Sequence, residues 1–220
     1  MAAPHGSLVP ADITHALIAM PMNQTDVEIE SKQTVYQGRF RIDRYRLRHR
    51  LFAGGWSAPI ERELFERGHA AALLPYDPVR DAVVLLEQFR IGAYAAGHDP
   101  WLIEIVAGII EPDETAKDVV HRETREEAGL AVEDLVKIAD YLPSPGGSSE
   151  TTALYCGRVD ARDAGGIHGV KSEGEDIRVS VLAADDIGAM LGAGRPFNAT
   201  TLIALQWLLL NRSDLRRRWS

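Results

Sequence analysis

DETAKDVVHRETREEAGL, residues 113–130, constrains the fold more than any other stretch of this sequence. Residues seven apart share a helix face, and here that spacing leads from small apolar side chains to carboxylates. The apolar positions are Ala116, Val119 and Val120, and the residues seven further on are Glu123, Glu126 and Glu127. The pattern predicts an amphipathic helix with Asp113 as its N-cap and Gly129 as its C-terminal stop.

The three glutamates of this helix are predicted to continue its inward face. Like charges three or four residues apart destabilise a helix by about 0.2–0.5 kcal/mol per pair, and buried charge without a partner costs more. Arg122 supplies only part of the compensation, so a hard divalent cation is the natural partner. A glutamate-rich helix is more often a solvated surface, but the phase of the apolar stripe favours a metal site.

Composition excludes several classes of protein. The chain has 220 residues, 45 % of them hydrophobic, which suits a moderate globular domain with a small appended one. A net charge of −8 disfavours a protein that coats nucleic acid. The single cysteine, Cys156, excludes an intramolecular disulfide, fits a reducing compartment and is predicted to lie in the core. With no signal peptide at the N-terminus and no apolar run long enough to span a bilayer, we expect a soluble cytoplasmic protein.

The N-terminal region has one distinctive segment. Residues 1–34 show little pattern and are interpreted either as partly disordered or as a short arm. VYQGRFRIDRYRLRHRLF (35–52) alternates arginine with other residues, which predicts one strand with a strongly basic face. Two readings stay open: a solvated edge strand that its charge protects from aggregation, or a wall that faces an anion or a second subunit.

The remaining chain reads as strands with a few helices. AAALLPYDPVRDAVVLLEQFR (70–90) predicts a hairpin, and WLIEIVAGI (101–109) predicts one buried strand. NATTLIALQWLLLNRS (198–213) predicts a helix capped by Asn198, followed by a solvated basic tail. GGIHGVKS (165–172) is not a phosphate-binding P-loop, because Val170 stands where the second glycine is required. Hairpin-connected strands favour an α+β fold over a doubly wound sheet.

The stretch that begins at Gly108, G-IIEPD-E-TAKDVVH-RETREEAGL, resembles the Nudix box GX5EX7REUXEEXGU, where U is a bulky aliphatic residue. The matching positions are Gly108, Glu114, Arg122, Glu123, Glu126, Glu127, Gly129 and Leu130. Thr124 stands where an aliphatic residue is usual, and we expect this β-branched side chain to pack there at small cost. Glu114 and Arg122 are expected to hold the loop and the helix together.

The resemblance extends over most of the chain and is to the ADP-ribose pyrophosphatase branch of the Nudix family, in which a proline follows the box by about fifteen residues, as Pro145 does. It implies an α+β fold: a Nudix-type α/β/α sandwich with a mixed sheet, plus a small N-terminal β domain. The domains expected are 1–58, an arm and small β domain exchanged between the subunits of a homodimer, and 59–220, the hydrolase domain.

The resemblance also implies a metal site. It gives the metal ligands as the carbonyl of Ala107 together with Glu123, Glu126, Glu127 and Glu175, and the general base as Glu173. Mg²⁺ is the expected cofactor, with two or three ions per active site and Mn²⁺ as a substitute. Two glutamates on one glycine-rich loop, SEGED (172–176), suit a lid, although taken alone such a loop reads as a solvated acidic surface.

The implied reaction is hydrolysis of ADP-ribose to AMP and ribose 5-phosphate, by a water that the metals hold and Glu173 deprotonates. The implied substrate contacts are Arg39, Phe40, Arg62, Glu63, Arg67, Arg90, Ile109, Ser144, Pro145, Gly146 and Glu150. The rival readings are the same chemistry on ADP-glucose or GDP-mannose, and a module that binds ADP-ribose without cleaving it. Neither nucleic acid nor a membrane is expected as a partner.

Overall fold

The structure is a computed structural model that describes residues 22–219. The chain divides into two compact units, of which the first ends at Phe65 and the second begins at Glu66. Residues 1–21, which include most of the predicted arm, and residue 220 lie outside the described residues. Among the helices of the described part, none is long and apolar enough to cross a membrane.

The first unit is a three-stranded antiparallel arrangement rather than one strand after a patternless arm. Its strands, in the order β1-β2-β3, are β1 (Val27–Gln37), β2 (Arg41–His49) and β3 (Ile60–Glu66). The predicted strand over 35–52 is wrong because the chain reverses at Gly38, whose N–H donates to the carbonyl of Phe40 at 2.8 Å. The turn pairs Gln37 with Arg41, so Arg39 falls in the turn and the arginines from Arg41 to Arg48 fall on β2.

The arginines of β2 are paired with carboxylates of the two neighbouring strands. The pairs are Arg44 with Glu63 at 3.0 Å, Arg46 with Glu30 at 2.7 Å, and Arg48 with Glu28 at 2.6 Å. Exposed pairs of this kind contribute about 0–1 kcal/mol each. Because acidic partners already face these side chains, the structure disfavours a wall that faces an anion. The predicted edge strand is not confirmed either, since β2 is the central strand of its sheet.

The second unit contains the remaining elements. The strands are β4 (Ala70–Asp77), β5 (Ala82–Phe89), β6 (Trp101–Glu104), β7 (Val106–Ile109), β8 (Asp134–Tyr141), β9 (Thr152–Arg158), β10 (Gly166–His168) and β11 (Ile177–Ala183). The helices are α1 (Ile91–Ala95), α2 (Ala116–Ala128), α3 (Ile187–Gly192) and α4 (Ala199–Trp219). Two 3₁₀ turns, Lys171–Glu173 and Ala184–Asp186, precede β11 and α3.

These strands form one mixed sheet between two layers of helix. The order is β10-β11-β5-β4-β9-β8, with β4 and β9 parallel and the other neighbours antiparallel. One face packs against α2 through Val119 and Val120, and the other packs against α3 and α4 through Ile187, Leu205 and Leu208. The predicted α+β sandwich is therefore confirmed.

The segment WLIEIVAGI is two strands and not the single strand predicted. β6 pairs with β5, and after Ile105 the chain moves across so that β7 pairs with β4. The neighbours β4 and β5 pair with each other only at their turn end, at Tyr76–Asp77 and Ala82–Val83, so they leave an opening that β6 and β7 fill. Backbone pairing of this kind has no signature in the sequence, because apolar residues continue on both sides of Glu104 through the two strands.

The N-cap of helix α2 lies two residues later than predicted. Thr115, not Asp113, is the N-cap, and it forms a capping box with Asp118. Capping boxes satisfy two backbone N–H groups reciprocally, and Thr115 lies at the spacing from Asp118 that this requires. The C-terminal stop is as predicted, because Gly129 has a left-handed φ of 67°.

The predicted solvated basic tail is part of helix α4, in which Arg216, Arg217 and Arg218 are exposed as predicted but Trp219 is buried. Helix α4 continues to Trp219, which is 3 % exposed and donates its indole N–H to Asp134 at 2.8 Å. Arg216 pairs with Asp81 at 2.9 Å. The predicted cap of this helix is confirmed, since Asn198 Oδ1 accepts from the Thr201 N–H at 2.8 Å. Cys156 is fully buried, as predicted.

Candidate active site

Glu127 is the most deeply buried glutamate of helix α2. It is 3 % exposed, and its Oε2 accepts a hydrogen bond from the backbone N–H of Ala107 on β7 at 3.1 Å. Burial raises the pKa of Glu127 to about 8, and the negative charges of Glu123 and Glu175 add to the rise while the Ala107 N–H and Arg90 oppose it. A carboxylate in this environment favours a nearby cation, because a cation stabilises its charged form.

Glu123 lies one turn before Glu127 and against the backbone of Gly108. A Cβ placed on Gly108 would lie 1.8 Å from Glu123 Oε1, so only glycine fits at this position. The pKa of Glu123 is raised, first by burial and then by Glu126 and Glu175, while the guanidinium of Arg122 opposes the rise. The glycine of the box therefore makes room for a carboxylate of the helix.

Glu126 faces outward, which corrects the prediction that all three glutamates point inward. Its side chain is 39 % exposed and pairs with Arg122 at 3.2 Å, one helical turn away. A spacing of seven falls about 20° short of two full turns, and on this side of α2 the shift places Glu126 at the rim. Thr124 takes a buried position instead and donates its hydroxyl to the carbonyl of Val120.

Arg122 joins the loop before α2 to the helix, as predicted. Its Nε and Nη2 donate to the two oxygens of Glu114 at 2.7 and 2.9 Å, and its Nη1 donates to Glu123 at 2.8 Å. The fork geometry of a guanidinium suits such a pair of oxygens. Arg122 thereby fixes the side-chain direction of Glu123.

Glu175 comes from the glycine-rich loop that precedes β11. Its Oε2 accepts from the Val170 N–H at 2.8 Å, and the Gly169 N–H donates to the carbonyl of Glu126 at 3.3 Å. Glu173 ends the 3₁₀ turn Lys171–Glu173 within this loop, and its side chain lies outside the described residues. The loop is thus attached to the end of α2 by its backbone.

Arg90 provides a positive charge beside these carboxylates. Its Nε and Nη2 donate to Glu104 Oε2 at 2.9 and 2.7 Å. Burial would lower the pKa of Arg90, but Glu104, Glu127 and Glu175 together raise it above its usual value. Glu104 was not predicted from the sequence, although a charged residue inside the apolar run WLIEIVAGI was a signal for it.

The other predicted substrate residues of the second unit lie on two segments. Ser144, Pro145 and Gly146 form an exposed turn, in which the Ser144 carbonyl accepts from the N–H groups that follow it. Glu150 pairs with Arg67 at 3.4 Å, which joins this turn to the segment before β4. Ser149 strengthens the same connection by donating to Glu66. Ile109 ends β7 opposite Ala70.

The remaining predicted substrate residues belong to the first unit. Arg39 and Phe40 form the turn between β1 and β2, with the guanidinium of Arg39 6.0 Å from the Phe40 ring centroid. Phe40 packs edge-on against Phe65, with their ring centroids 5.3 Å apart. On β3, Arg62 donates to the carbonyl of Glu61 at 2.7 Å, and Glu63 pairs with Arg44.

The donor set of the second unit fits a divalent cation. Among the described side chains, no three acidic, histidine or cysteine residues already converge as a metal-binding group. Burial, together with the nearby charge of Glu175, nevertheless raises the pKa values of Glu123 and Glu127. The carboxylate oxygens of these glutamates are the kind of ligand that Mg²⁺ prefers.

A sheet covered on both faces, with a glutamate-rich helix against the glycine of β7, defines a Nudix-type hydrolase domain. The family model described as the NUDIX domain matches residues 66–204 of this chain. The chain belongs to the NUDIX family.

Similarity to characterised relatives covers nearly the whole chain. An ADP-ribose pyrophosphatase of Escherichia coli (strain K12) is 49 % identical over 203 residues, which are 92 % of this chain and 97 % of that protein. A GDP-mannose pyrophosphatase of Pectobacterium atrosepticum is 32 % identical over 187 residues, 84 % of this chain and 94 % of that protein. A crystal structure of an ADP compounds hydrolase has a TM-score of 0.66 at 18 % identity, covers 89 % of this chain and 100 % of its own, and shows the fold.

Proposed function

We propose that this protein is an ADP-ribose diphosphatase, which hydrolyses the diphosphate of ADP-ribose to AMP and ribose 5-phosphate with Mg²⁺. The observation that carries the proposal is the buried carboxylate of Glu127, one helical turn from Glu123 and hydrogen-bonded to the backbone of β7 next to Gly108. The 49 % identical relative from Escherichia coli, an ADP-ribose pyrophosphatase, supports the choice of substrate.

The carboxylates are proposed to hold Mg²⁺. Glu123 and Glu127 would be its principal protein ligands, joined by Glu175, by Glu126 at the rim and by the carbonyl of Ala107. When bound, Mg²⁺ neutralises phosphoryl oxygens and lowers the pKa of water. Mn²⁺ has similar ligand preferences and is the proposed substitute.

The chain's own residues would orient the substrate and manage the proton. Arg90 would bind the diphosphate, since a guanidinium suits paired phosphate oxygens. Glu173 would take the proton of the attacking water, because the loop that carries it is attached to the end of α2 through Gly169. The turn at Ser144–Gly146, with Glu150 and Arg67, would line the sugar side of the pocket together with Ile109.

The adenosine-side contacts proposed for Arg39, Phe40, Arg62 and Glu63 belong to the first unit. Their support is the resemblance together with the Phe40–Phe65 pair, which gives the turn between β1 and β2 a fixed aromatic face. We propose that the protein is a homodimer that exchanges this unit. A sedimentation run that gives a monomer at micromolar concentration would rule out the homodimer. A cytoplasmic location stays a prediction.

A second substrate is supported by one specific relative. The 32 % identical GDP-mannose pyrophosphatase from Pectobacterium atrosepticum indicates that this fold also serves another nucleotide sugar. A comparison of kcat/KM on ADP-ribose, ADP-glucose and GDP-mannose decides between them. Calorimetry that shows tight ADP-ribose binding without AMP formation would instead support a binding module.

The decisive experiment is incubation with ADP-ribose and Mg²⁺, followed by chromatographic separation of the nucleotides. EDTA, Glu173→Gln and Asp176→Asn are run beside the wild type. Asp176 is exposed and adjacent to Glu175, so its variant changes the charge of the same loop without touching a proposed ligand.

We expect AMP from the wild type and from Asp176→Asn with Mg²⁺, and none with EDTA. Glu173→Gln should be slower by about 10²–10⁴-fold, the usual contribution of a general base. AMP from Glu173→Gln at an undiminished rate would place the base elsewhere. No AMP from any sample would reject ADP-ribose as the substrate.

A further inference from the structure

Glu104 is a buried carboxylate that the proposed reaction does not use directly. It is 3 % exposed and is the last residue of β6. Its Oε2 accepts from Arg90 and, at 3.3 Å, from the amide of Gln88, while its Oε1 accepts from Asn198 Nδ2 at 2.8 Å. Both oxygens are therefore held, which fixes the plane of the carboxylate.

The first turn of helix α4 holds Glu104 through two connections. Asn198 donates to the Glu104 carboxylate with its amide nitrogen and caps the helix with its amide oxygen. Thr201, which is fully buried, accepts a hydrogen bond from the N–H of Ile105, the next residue, at 3.2 Å. Side chain and backbone of the β6–β7 junction are thus attached to one rigid element.

Among the described residues, the contacts that hold the Arg90 guanidinium are on one edge. Glu104 occupies the Nε and Nη2 donors, so the edge that carries Nη1 points away from this contact, and the side chain is 42 % exposed. Glu127 and Glu175 act on the charge of the same guanidinium. A guanidinium fixed on one edge and accessible on the other is suited to a second, anionic acceptor.

A purely structural ion pair would not need this arrangement. Replacing a buried pair by apolar residues is often neutral or stabilising, so the pair by itself is weak evidence for stability. Arg90 follows β5 directly, and a long flexible side chain loses rotamer freedom when it is fixed. The contact with Glu104 fixes the Arg90 side chain before any ligand binds. Less conformational entropy is then lost when a diphosphate binds.

We infer that Glu104 is a positioning residue that holds the Arg90 guanidinium toward the diphosphate of the substrate, with Asn198 fixing Glu104 in turn. This inference rests on the proposed function of Arg90. It assigns to the start of helix α4, on the opposite face of the sheet from α2, a part in substrate binding.

A double-mutant cycle on kcat/KM for ADP-ribose tests the inference. The proteins are the wild type, Glu104→Gln, Arg90→Ala and the double variant. Glu104→Gln should lower kcat/KM by about 10²-fold in the wild type, since misplacing a positioning group by about 1 Å costs that much. In the Arg90→Ala background the same change should cost less than about two-fold, because coupled residues are not additive. Equal losses in both backgrounds would overturn the inference.

Two variants separate positioning from folding. Asp77→Asn is the matched control, because Asp77 is also buried and also pairs with an arginine, Arg80 at 2.6 Å, but in the turn between β4 and β5. It should lower the melting temperature and leave kcat/KM unchanged. Asn198→Ser keeps a capping oxygen for helix α4 and removes the amide that donates to Glu104. It replaces Glu104→Gln in the cycle if that variant fails to fold. Its effect on kcat/KM should also vanish in the Arg90→Ala background.

A readout without ligand separates this inference from the proposed function. The Nε–H resonance of Arg90 in a ¹⁵N NMR spectrum should exchange slowly in the wild type and in Asp77→Asn, and rapidly in Glu104→Gln. An unchanged resonance in Glu104→Gln would overturn the positioning role, whatever the substrate. If the resonance responds as expected but no nucleotide sugar is cleaved, the positioning geometry stands and the proposed function fails.

Discussion

The carboxylate of Glu123 occupies the space where a side chain on Gly108 would begin. An ideal Cβ on Gly108 would lie 1.8 Å from Glu123 Oε1 and 2.5 Å from its Cγ. No real Cβ contact is that short, so the helix glutamate and the strand glycine must be considered as one unit. Their separation also sets how closely α2 can approach β7.

Gly108→Ala should therefore displace Glu123 and lower kcat/KM by about 10²-fold, the effect expected when a reacting group moves by about 1 Å. The measurement is steady-state kinetics on ADP-ribose beside Gly188→Ala. A Cβ on Gly188, in α3, meets nothing within 4 Å, so this control should keep full activity. Full activity of Gly108→Ala would show that Glu123 can move without consequence.

Glu127→Gln should abolish stabilisation by Mg²⁺. A ligand that binds only the folded state at 100 times its Kd stabilises it by about 2.7 kcal/mol, and Glu127 is the most buried of the proposed ligands. The measurement is the melting temperature of each protein with Mg²⁺ and with EDTA. We expect a rise with Mg²⁺ for the wild type and none for the variant, and an equal rise in both would remove Glu127 from the ligand set.

Asp81 should control stability at acid pH. The hydrogen bond from Arg212 lowers the pKa of Asp81, Tyr76 and Arg216 lower it further, and burial opposes them. The lowered pKa contributes stability that is present above about pH 3.9, the unfolded value, and is lost as the pH falls through the folded value. We expect the wild-type free energy of unfolding to fall below about pH 4.

Asp81→Asn should remove this pH dependence and cost about 1–3 kcal/mol at pH 7, because two arginines lose a charged partner. Asparagine also tolerates the left-handed backbone of residue 81, where φ is 53°, so the variant isolates the charge. The measurement is urea unfolding from pH 3 to 7. Asp185→Asn, which removes an exposed partner of Arg212, is the control, and an equal effect there would contradict the role of Asp81.

Thr124→Val should leave activity unchanged and raise stability slightly. Thr124 is fully buried, and its hydroxyl donates back to the carbonyl of Val120, a contact that slightly destabilises a helix. A buried methyl group adds about 0.8 kcal/mol. Chemical denaturation and kcat/KM measure the two quantities, and a stability loss would show that the hydroxyl is required.

The sequence predicted those features that one segment determines by itself. The phase of α2 followed from spacing, its end followed from Gly129, and the Asn198 cap followed from residue type. Glu126 was placed wrongly because a spacing of seven drifts from an exact helical repeat, and the side of the helix on which this drift matters depends on packing.

The features that the sequence did not predict depend on which segments meet. The break at Ile105 exists because β4 and β5 separate, and nothing in WLIEIVAGI records that separation. The role proposed for Glu104 depends on its contacts with Arg90 and Asn198, which lie 14 and 94 residues away in the chain. Residue type indicated that a charge was out of place, but only the fold supplies its partners.

The crossing of the chain at Ile105 has a consequence for how this protein tolerates change in length. Trp101 to Ile109 serves two strands with one uninterrupted run of residues, fixed to β5 at one end and to β4 at the other. Substitutions in this run alter side chains only, whereas one inserted residue would turn every following side chain to the opposite face of the sheet. Relatives with altered loops are therefore expected to keep the number of residues between Glu104 and Gly108 constant, even where the residues themselves differ.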